Sequence, residues 1–535
     1  MQAALKYWKY DQGGIAVLRE VITQEGTLRG FAGGDPRITI FKGVPYAAPP
    51  VGRYRFCAPQ PPQRWEGVRQ ARDFAPAAPQ KQPGSDPTDF YTRELNPVGY
   101  ECAMSEDCLY VNIWSPAQSA QDHLPVLFYI HGGGFVAGYS YEMEFDGERV
   151  ARKGCILVTV GYRLGALGFF AHEDLSLESP GESQGNFGIL DQMAALDWVR
   201  RNIGAFGGDP EQNTIAGQSA RGGAVTAHCV SPRTKGKFRG AIMMSGGGLN
   251  GKDGFFKPWR TLSQAQADGA ALLARLGVST VAQARELPAQ AIADAGLAIR
   301  PQGRSGPHLW GPTVDGALLF EDSYDAMLAG RCHPVRYLLG YCRDEGRMFN
   351  LRMAGLPMTP EAFAQDAHRM YGAKADRYLT LAAVRTPEDL KALYESEDFN
   401  MFALSHRCLA MLLSRQNNPG YLYVFDHDIP GGDGAGSYHG SDIWFVFDSL
   451  NRCWRPFTGK HYDLARQASS YFVNFVKTGD PNGVDTNGSP LPRWEVYREE
   501  NPLCVRFGQT AVLQSVSESE LFVIRKEHYM GLDLV

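Results

Sequence analysis

Six short runs of β-branched and aromatic residues constrain this chain more than any other feature. They are Val126–Ile130 (VLFYI), Ile156–Val160 (ILVTV), Asn213–Ala216 (NTIA), Ala241–Met244 (AIMM), Arg336–Leu339 (RYLL) and Tyr421–Phe425 (YLYVF). A strand with one wet face alternates apolar and polar residues, whereas these runs are nearly continuous, as strands covered on both faces must be. Helical patterns lie between them. Together they predict an α/β fold with a central, mostly parallel sheet flanked by helices. An antiparallel opening is predicted from Thr27–Phe31 and Arg37–Phe41, which are separated by a Gly-Gly-Asp-Pro turn.

Residues 1–535 read as a single catalytic domain, with no linker and no internal repeat. Two helical insertions, about 255–335 and 355–418, are expected to roof a pocket. The first holds Ser263–Gly277, read as a helix opened by a Ser cap and closed by Gly. The second holds the helical stretch Ser396–Ser414. A net charge of −5 gives no electrostatic reason for a nucleic-acid or membrane partner. The opening residues contain no apolar core of a signal peptide, and no run of about 18 apolar residues occurs. The expectation is a soluble, cytoplasmic protein, monomer or homodimer. Its ten cysteines are scattered without Cys-x-x-Cys or Cys/His ligand spacing, so they read as small buried residues. Neither a metal site nor a cofactor is expected.

A literal search for Gly-x-Ser-x-Gly finds Gly181–Gly185 (GESQG), centred on Ser183. The shorter Gly-x-Ser recurs at Ser140, Ser279 and Ser305, so the match is weak. A nucleophilic serine needs a strand before it and a helix after it, which lifts its hydroxyl above the sheet. Ser183 follows Leu175–Glu182, which reads as a loop, and is expected to lie in a surface turn. Ser219, in Gly217–Arg221 (GQSAR), has the required context. The helical pattern Asp191–Phe206 stops at Gly207–Pro210, the strand Asn213–Ala216 follows, and Ala220–Val230 continues as a helix.

Several longer segments carry a family resemblance. They are Phe41–Phe56 (FKGVPYAAPPVGRYRF), Ser105–Pro116 (SEDCLYVNIWSP), His131–Phe135 (HGGGF), Tyr162–Phe170 (YRLGALGFF), Phe187–Pro210 and Tyr471–Gly483. In these the chain resembles the type-B carboxylesterases, the group of cholinesterases and bacterial p-nitrobenzyl esterases, which have the α/β-hydrolase fold. The resemblance implies a triad of Ser219, Glu345 and His439, in the chain order Ser, acid, His. Asp344 competes with its neighbour for the acid's role, and Asp442 is expected to fix the histidine loop. The resemblance further implies oxyanion donors from the amides of Gly133, Gly134 and Ala220. Phe135, Val136, Ala137 and Gln218 are expected in the substrate pocket.

Three positions depart from the family pattern. Gln218 stands where Glu is usual, which argues against selection for cationic alcohols. Cys108 is present, but its usual partner stretch reads Ala77-Ala78-Pro79-Gln80, and the missing disulfide fits a reducing compartment. Arg221 replaces the glycine that lets the following helix pack closely on its neighbouring strands. It is expected either to strain this turn or to bind a substrate carboxylate. The leading reading is a serine carboxylesterase acting on esters with neutral, fairly apolar acyl and alcohol groups through an acyl-enzyme. The alternatives are an amide or carbamate hydrolase using the same triad, and a cholinesterase-like binding protein impaired by Arg221.

Overall fold

The computed structural model describes residues 17–86, 88–96, 101–249, 258–299, 310–347 and 356–531. Among them, eleven strands form one mixed sheet. In chain order these are β1 (Phe31–Ala32), β2 (Thr39–Pro45), β3 (Tyr110–Ser115), β4 (Leu124–Ile130), β5 (Ile156–Val160) and β6 (Gly208–Gln218). They continue as β7 (Gly240–Met244), β8 (Arg336–Cys342), β9 (Tyr421–Phe425), β10 (Leu503–Phe507) and β11 (Ala511–Ser515). The spatial order is β11-β10-β9-β8-β7-β6-β4-β5-β3-β2-β1. Every pairing from β5 across to β10 is parallel, and both flanks are antiparallel. The predicted α/β architecture is therefore the observed one.

Complete burial explains the unbroken apolar runs: all five residues of β5 and of β7 are buried. One large apolar cluster forms on one side of the sheet around Phe128, Ile215, Met243 and Leu339. Another, around Tyr129, Ala216, Ile242 and Leu338, forms on the other side. Successive residues of each strand thus feed opposite cores.

Two buried ion pairs tie together segments that carry the family resemblance. Arg163 meets Asp191 through its backbone N–H and two guanidinium nitrogens, at 2.6 to 3.0 Å. Arg55 forms a fork on Glu106, 2.6 Å on each arm. A planar guanidinium matches a carboxylate in this way better than an ammonium does.

Several sequence expectations need revision. The strand expected at Asn213–Ala216 runs from Gly208 to Gln218. The stop at Gly207 is real, because its φ of 81° reverses the chain. The strand begins immediately afterwards, and the register with β4 shifts where Pro210, lacking an N–H, sits in the ladder. Leu175–Glu182 is not all loop, since Glu173–Glu178 is helical. The cap of helix Leu262–Arg275 is Thr261, which forms a capping box with Gln264, and not Ser263. Thr27–Arg29 leaves the expected hairpin to pair with Glu20–Ile22, while Phe31–Ala32 alone pairs with β2. Ser396–Ser414 resolves into a short turn, Glu397–Phe399, and the helix Met401–Arg415.

The tightest approach in the fold lies behind Ser219. A Cβ on Gly222 would sit 2.0 Å from the Gly246 carbonyl oxygen, and one on Gly246 would sit 1.8 Å from that of Ser219. The close approach of the helix Ala220–Val230 to the sheet is therefore made at Gly222, one residue beyond the position expected from sequence. The side chain of Arg221 lies outside the described residues. Gly222→Ala or Gly246→Ala is expected to lower stability by more than about 3 kcal/mol, beyond ordinary over-packing, because the clash is with backbone. Gly204→Ala, with nothing within 4 Å of its added Cβ, should change the thermal midpoint little. Equal midpoints for all three variants would contradict this account.

Candidate active site

The parallel strands end level with one another. Ile130 pairs with Gly217, Gln218 with Met244, Met244 with Gly340, and Cys342 with Phe425. The segments that follow β4, β6, β8 and β9 therefore emerge side by side at one edge of the sheet. They carry Gly133–Gly134, Ser219–Ala220, Glu345 and His439 in turn.

Ser219 occupies the sharp turn between β6 and its helix, at φ 62° and ψ −137°. A non-glycine residue held there costs about 1–3 kcal/mol. Hydrogen bonds offset this strain: Ser219 N–H donates to the Met244 carbonyl at 2.9 Å, and Gly222 N–H to the Ser219 carbonyl at 2.8 Å. The turn leaves Ser219 and Ala220 half-buried while the strand behind them is buried.

Glu345 follows β8 and is almost wholly enclosed. One carboxylate oxygen accepts the Cys342 N–H at 2.7 Å, and the other lies 2.6 Å from His439 Nδ1. The carboxylate therefore fixes the proton on Nδ1 and presents Nε2 as the acceptor. On the ring's other side, Gln218 Nε2 is 3.0 Å from His439 Nε2. The Phe402 ring packs beside the imidazole with centroids 4.8 Å apart, and the Tyr91 hydroxyl donates to the His439 carbonyl at 3.3 Å.

Asp344 and Glu345 are separated by their partners. Asp344 accepts the Ser437 N–H at 2.8 Å and is bridged by Arg343 and Arg347. Burial opposes its ionisation, but these donors hold its carboxyl below the usual range. Asp344 thus anchors the histidine loop without reaching the imidazole. Asp442, on the short helix Ser441–Val446, accepts the Tyr423 hydroxyl at 2.6 Å. Its burial, reinforced by the Glu345 charge, pushes its carboxyl up to about 6, against the Tyr423 hydrogen bond and the His439 charge.

The loop after β4 has positive φ at Gly133 (111°), Gly134 (66°) and Phe135 (62°). Val136 and Ala137 N–H both donate to the Gly133 carbonyl, at 3.1 and 2.9 Å, and Gly165 N–H holds the Phe135 carbonyl at 2.7 Å. Gly133 is exposed and Gly134 half-buried, so backbone rather than side chain faces the edge. The Phe135 ring stands edge-on to Phe169, centroids 5.0 Å apart, with Val136 buried beside it and Ala137 half-buried.

Ser183 lies elsewhere. It is 5% exposed, and its hydroxyl donates to Asp315, whose other oxygen accepts the amides of Ala317, Leu318 and Leu319. It is a buried structural serine, not the surface residue expected. Cys57, Cys102 and Cys108 are free thiols. Among the described residues, no group of three or more His, Cys, Asp or Glu side chains forms a metal cradle, and no helix is long and apolar enough to cross a membrane.

Sequence reasoning missed the strap that covers the histidine loop. Within Phe90–Leu95, Glu94 is fully buried and accepts five hydrogen bonds: two from Arg455 at 2.8 Å, one each from Trp454 and Tyr438 at 3.0 Å, and one from its neighbour Arg93 at 3.5 Å. Little in the local sequence marks this glutamate, because every partner but Arg93 lies over 300 residues away.

A serine raised on a strand-to-helix turn, at the carboxyl edge of a mixed sheet flanked by helices, defines an α/β hydrolase. The chain belongs to the carboxylesterase family, whose model matches residues 18–522, and it is a carboxylic ester hydrolase. It is 34% identical over 491 residues to a fumonisin B1 esterase of Sphingopyxis macrogoltabida, covering 88% of this chain and 84% of that one. It is 31% identical over 514 residues to a para-nitrobenzyl esterase of Bacillus subtilis (strain 168), covering 94% and 97%. A solved PNB esterase superposes with a TM-score of 0.78 at 29% identity, over 95% of this chain and 99% of that one.

The raised Asp442 carboxyl has a consequence for stability. Its folded value near 6 exceeds the ordinary 3.8, so between these values the unfolded chain ionises while the folded protein keeps its proton. Asp442 therefore costs nothing below about pH 4 and destabilises progressively up to about pH 6, by no more than about 3 kcal/mol in total. Relative to wild type, Asp442→Asn should gain unfolding free energy over that window and hold a constant difference above it. A difference independent of pH, measured by denaturant titration from pH 4 to 8, would refute this.

Proposed function

We propose that Ser219, His439 and Glu345 carry out acyl transfer to water. The observation that carries this reading is the 2.6 Å contact between Glu345 and His439 Nδ1, at the edge of the sheet where Ser219 stands. Ser219 Oγ attacks the ester carbonyl carbon as His439 Nε2 takes its proton. The imidazolium returns that proton to the departing alcohol, which leaves an acyl-serine. Water, deprotonated by the same imidazole, then releases the acid. Glu345 orients the ring and stabilises its charged form. The oxyanion is received by the amides of Gly133, Gly134 and Ala220, and each such donor contributes about 3 kcal/mol. The chemistry calls for no cofactor.

The preferred substrates are small, neutral, fairly apolar esters. Phe135 and Val136 supply an apolar wall, and Gln218 leaves the position before the nucleophile uncharged. The free thiols of Cys57 and Cys108 support a reducing, cytoplasmic setting.

The test is turnover of p-nitrophenyl acetate and hexanoate. Ser219→Ala should lower kcat by about four to six orders of magnitude, while Ser183→Ala leaves it within about twofold. Full activity in the first variant and loss in the second would overturn the assignment. Substrate class is tested separately, with butyrylcholine and its uncharged isostere 3,3-dimethylbutyl butyrate. The neutral ester is expected to have the higher kcat/KM; a clear preference for the choline ester would remove the neutral-substrate reading and leave the triad standing.

A further inference from the structure

We propose that Gln218 is a positioning residue for His439, whose carboxamide holds the imidazole from the Nε2 side and sets how readily that ring accepts a proton. The inference rests on His439 as the base proposed above and adds a residue to that machinery. Its first support is geometric. Glu345 accepts at Nδ1, so the ring's accepting lone pair lies on Nε2, and Gln218 Nε2 is 3.0 Å from it. An amide N–H donated to that lone pair favours the neutral ring.

The second support is the slot that Gln218 fills. The side chain is 5% exposed and runs from the glycine loop after β4 to the loop that carries His439. A Cβ on Gly132 would lie 2.8 Å from its amide oxygen, and one on Gly440 would lie 3.3 Å from its amide nitrogen. Two glycines on separate loops thus make room for one amide. Such a slot fixes where the amide stands.

The neutral ring needs a donor at Nε2. A carboxylate at this position accepts only, and so favours the imidazolium. A thioether offers little to either form.

The other titratable groups around the ring are Glu345 at Nδ1, Asp442 on the following helix, Tyr91 at the His439 carbonyl and His406 beside Glu345. None is altered by substitution at 218, so differences among variants there report that residue.

The experiment compares kcat/KM for p-nitrophenyl acetate from pH 4.5 to 9 in wild type, Gln218→Met and Gln218→Glu. This ratio titrates the free enzyme, so its acid limb reports the base. The expected order of midpoints is wild type below Met below Glu, with the Glu variant at least about one pH unit above wild type. A negative charge near the ring would raise the midpoint even if the native amide did nothing. The methionine arm therefore carries the distinction, since its midpoint rises only if the wild-type amide donates to Nε2.

Coincident midpoints for wild type and Gln218→Met, with or without a uniform loss of kcat, would overturn the proposal and leave Gln218 as packing. If the methionine variant does not fold, Gln218→Leu takes its place, and a midpoint coincident with wild type there overturns the proposal equally. His439→Ala separates the two readings: retained activity there removes the base itself, whereas its loss alongside coincident midpoints removes only the role of Gln218.

Discussion

The approach of Gly222 to Gly246 is the contact on which the site depends. Ser219 can hold a φ of 62° only because the chain turns at once into a helix whose first turn lies against the segment leaving β7. Nothing larger than hydrogen fits at either glycine, so backbone rests on backbone. The strain at Ser219 is offset by hydrogen bonds at its N–H and its carbonyl, which continue the sheet ladder into the turn. The height of the serine above the sheet is thereby tied to β7 and, through the β7–β8 register, to the exit of β8 where Glu345 stands. Displacing the helix would move Ser219 and Glu345 relative to each other, although neither touches the glycines through its side chain.

The same logic shows what was legible in the sequence. Strands β4 to β9 announced themselves because burial on both faces leaves an unbroken apolar run, a property of the strand alone. β10 and β11 lie toward one flank, are partly solvated, and have no such run. β6 was read too short because a Pro inside a strand looks like an ending, and only pairing with β4 reveals a register shift there. Thr261 and Ser263 are both competent caps, and the choice fell to the helix's own first turn. Chain order and motif point to Ser219, Glu345 and His439 as a triad, but not to the residues packed around them. The contact of Gln218 with His439 spans 221 positions, and Tyr91 reaches its carbonyl across 348. The glycine needed behind the nucleophile was expected at 221 and is found at 222, because spacing shows that the helix must pack closely but not which residue faces the sheet.

Chains that lack a covalent staple must fix their loops by other means. The fully buried pair Glu94–Arg455 holds the segment 88–96 against the loop bearing His439. Taking two charges out of water costs several kcal/mol each, and such a pair persists where every remaining lone pair and proton is satisfied. Here that condition is met: Glu94 accepts five hydrogen bonds, and Arg455 also reaches Asp433 and the Pro430 carbonyl. Removing one partner from such a pair typically costs about 3–5 kcal/mol, because the other is left charged and buried. Tyr91, one turn before Glu94, then places its hydroxyl on the His439 carbonyl. The arrangement needs no oxidation to form, which suits the free Cys57 and Cys108 thiols.

Three carboxyl groups crowd the histidine loop, and a low-dielectric site does not tolerate three unpaired charges there. The structure gives each a different solution. Asp344 is surrounded by guanidinium groups and a backbone donor, which keep it ionised and turn it into an anchor. Asp442 meets the Tyr423 hydroxyl and no guanidinium, so burial and the neighbouring Glu345 drive it toward its neutral form. Glu345 has one backbone donor and the imidazole, a partner whose own charge rises and falls. Asp344 and Glu345 are adjacent in sequence and alike in chemistry, so nothing local separates them. The division of labour comes from what each meets: fixed positive charge for one, a titrating ring for the other. Only the carboxylate whose partner titrates can respond when a proton arrives on that ring.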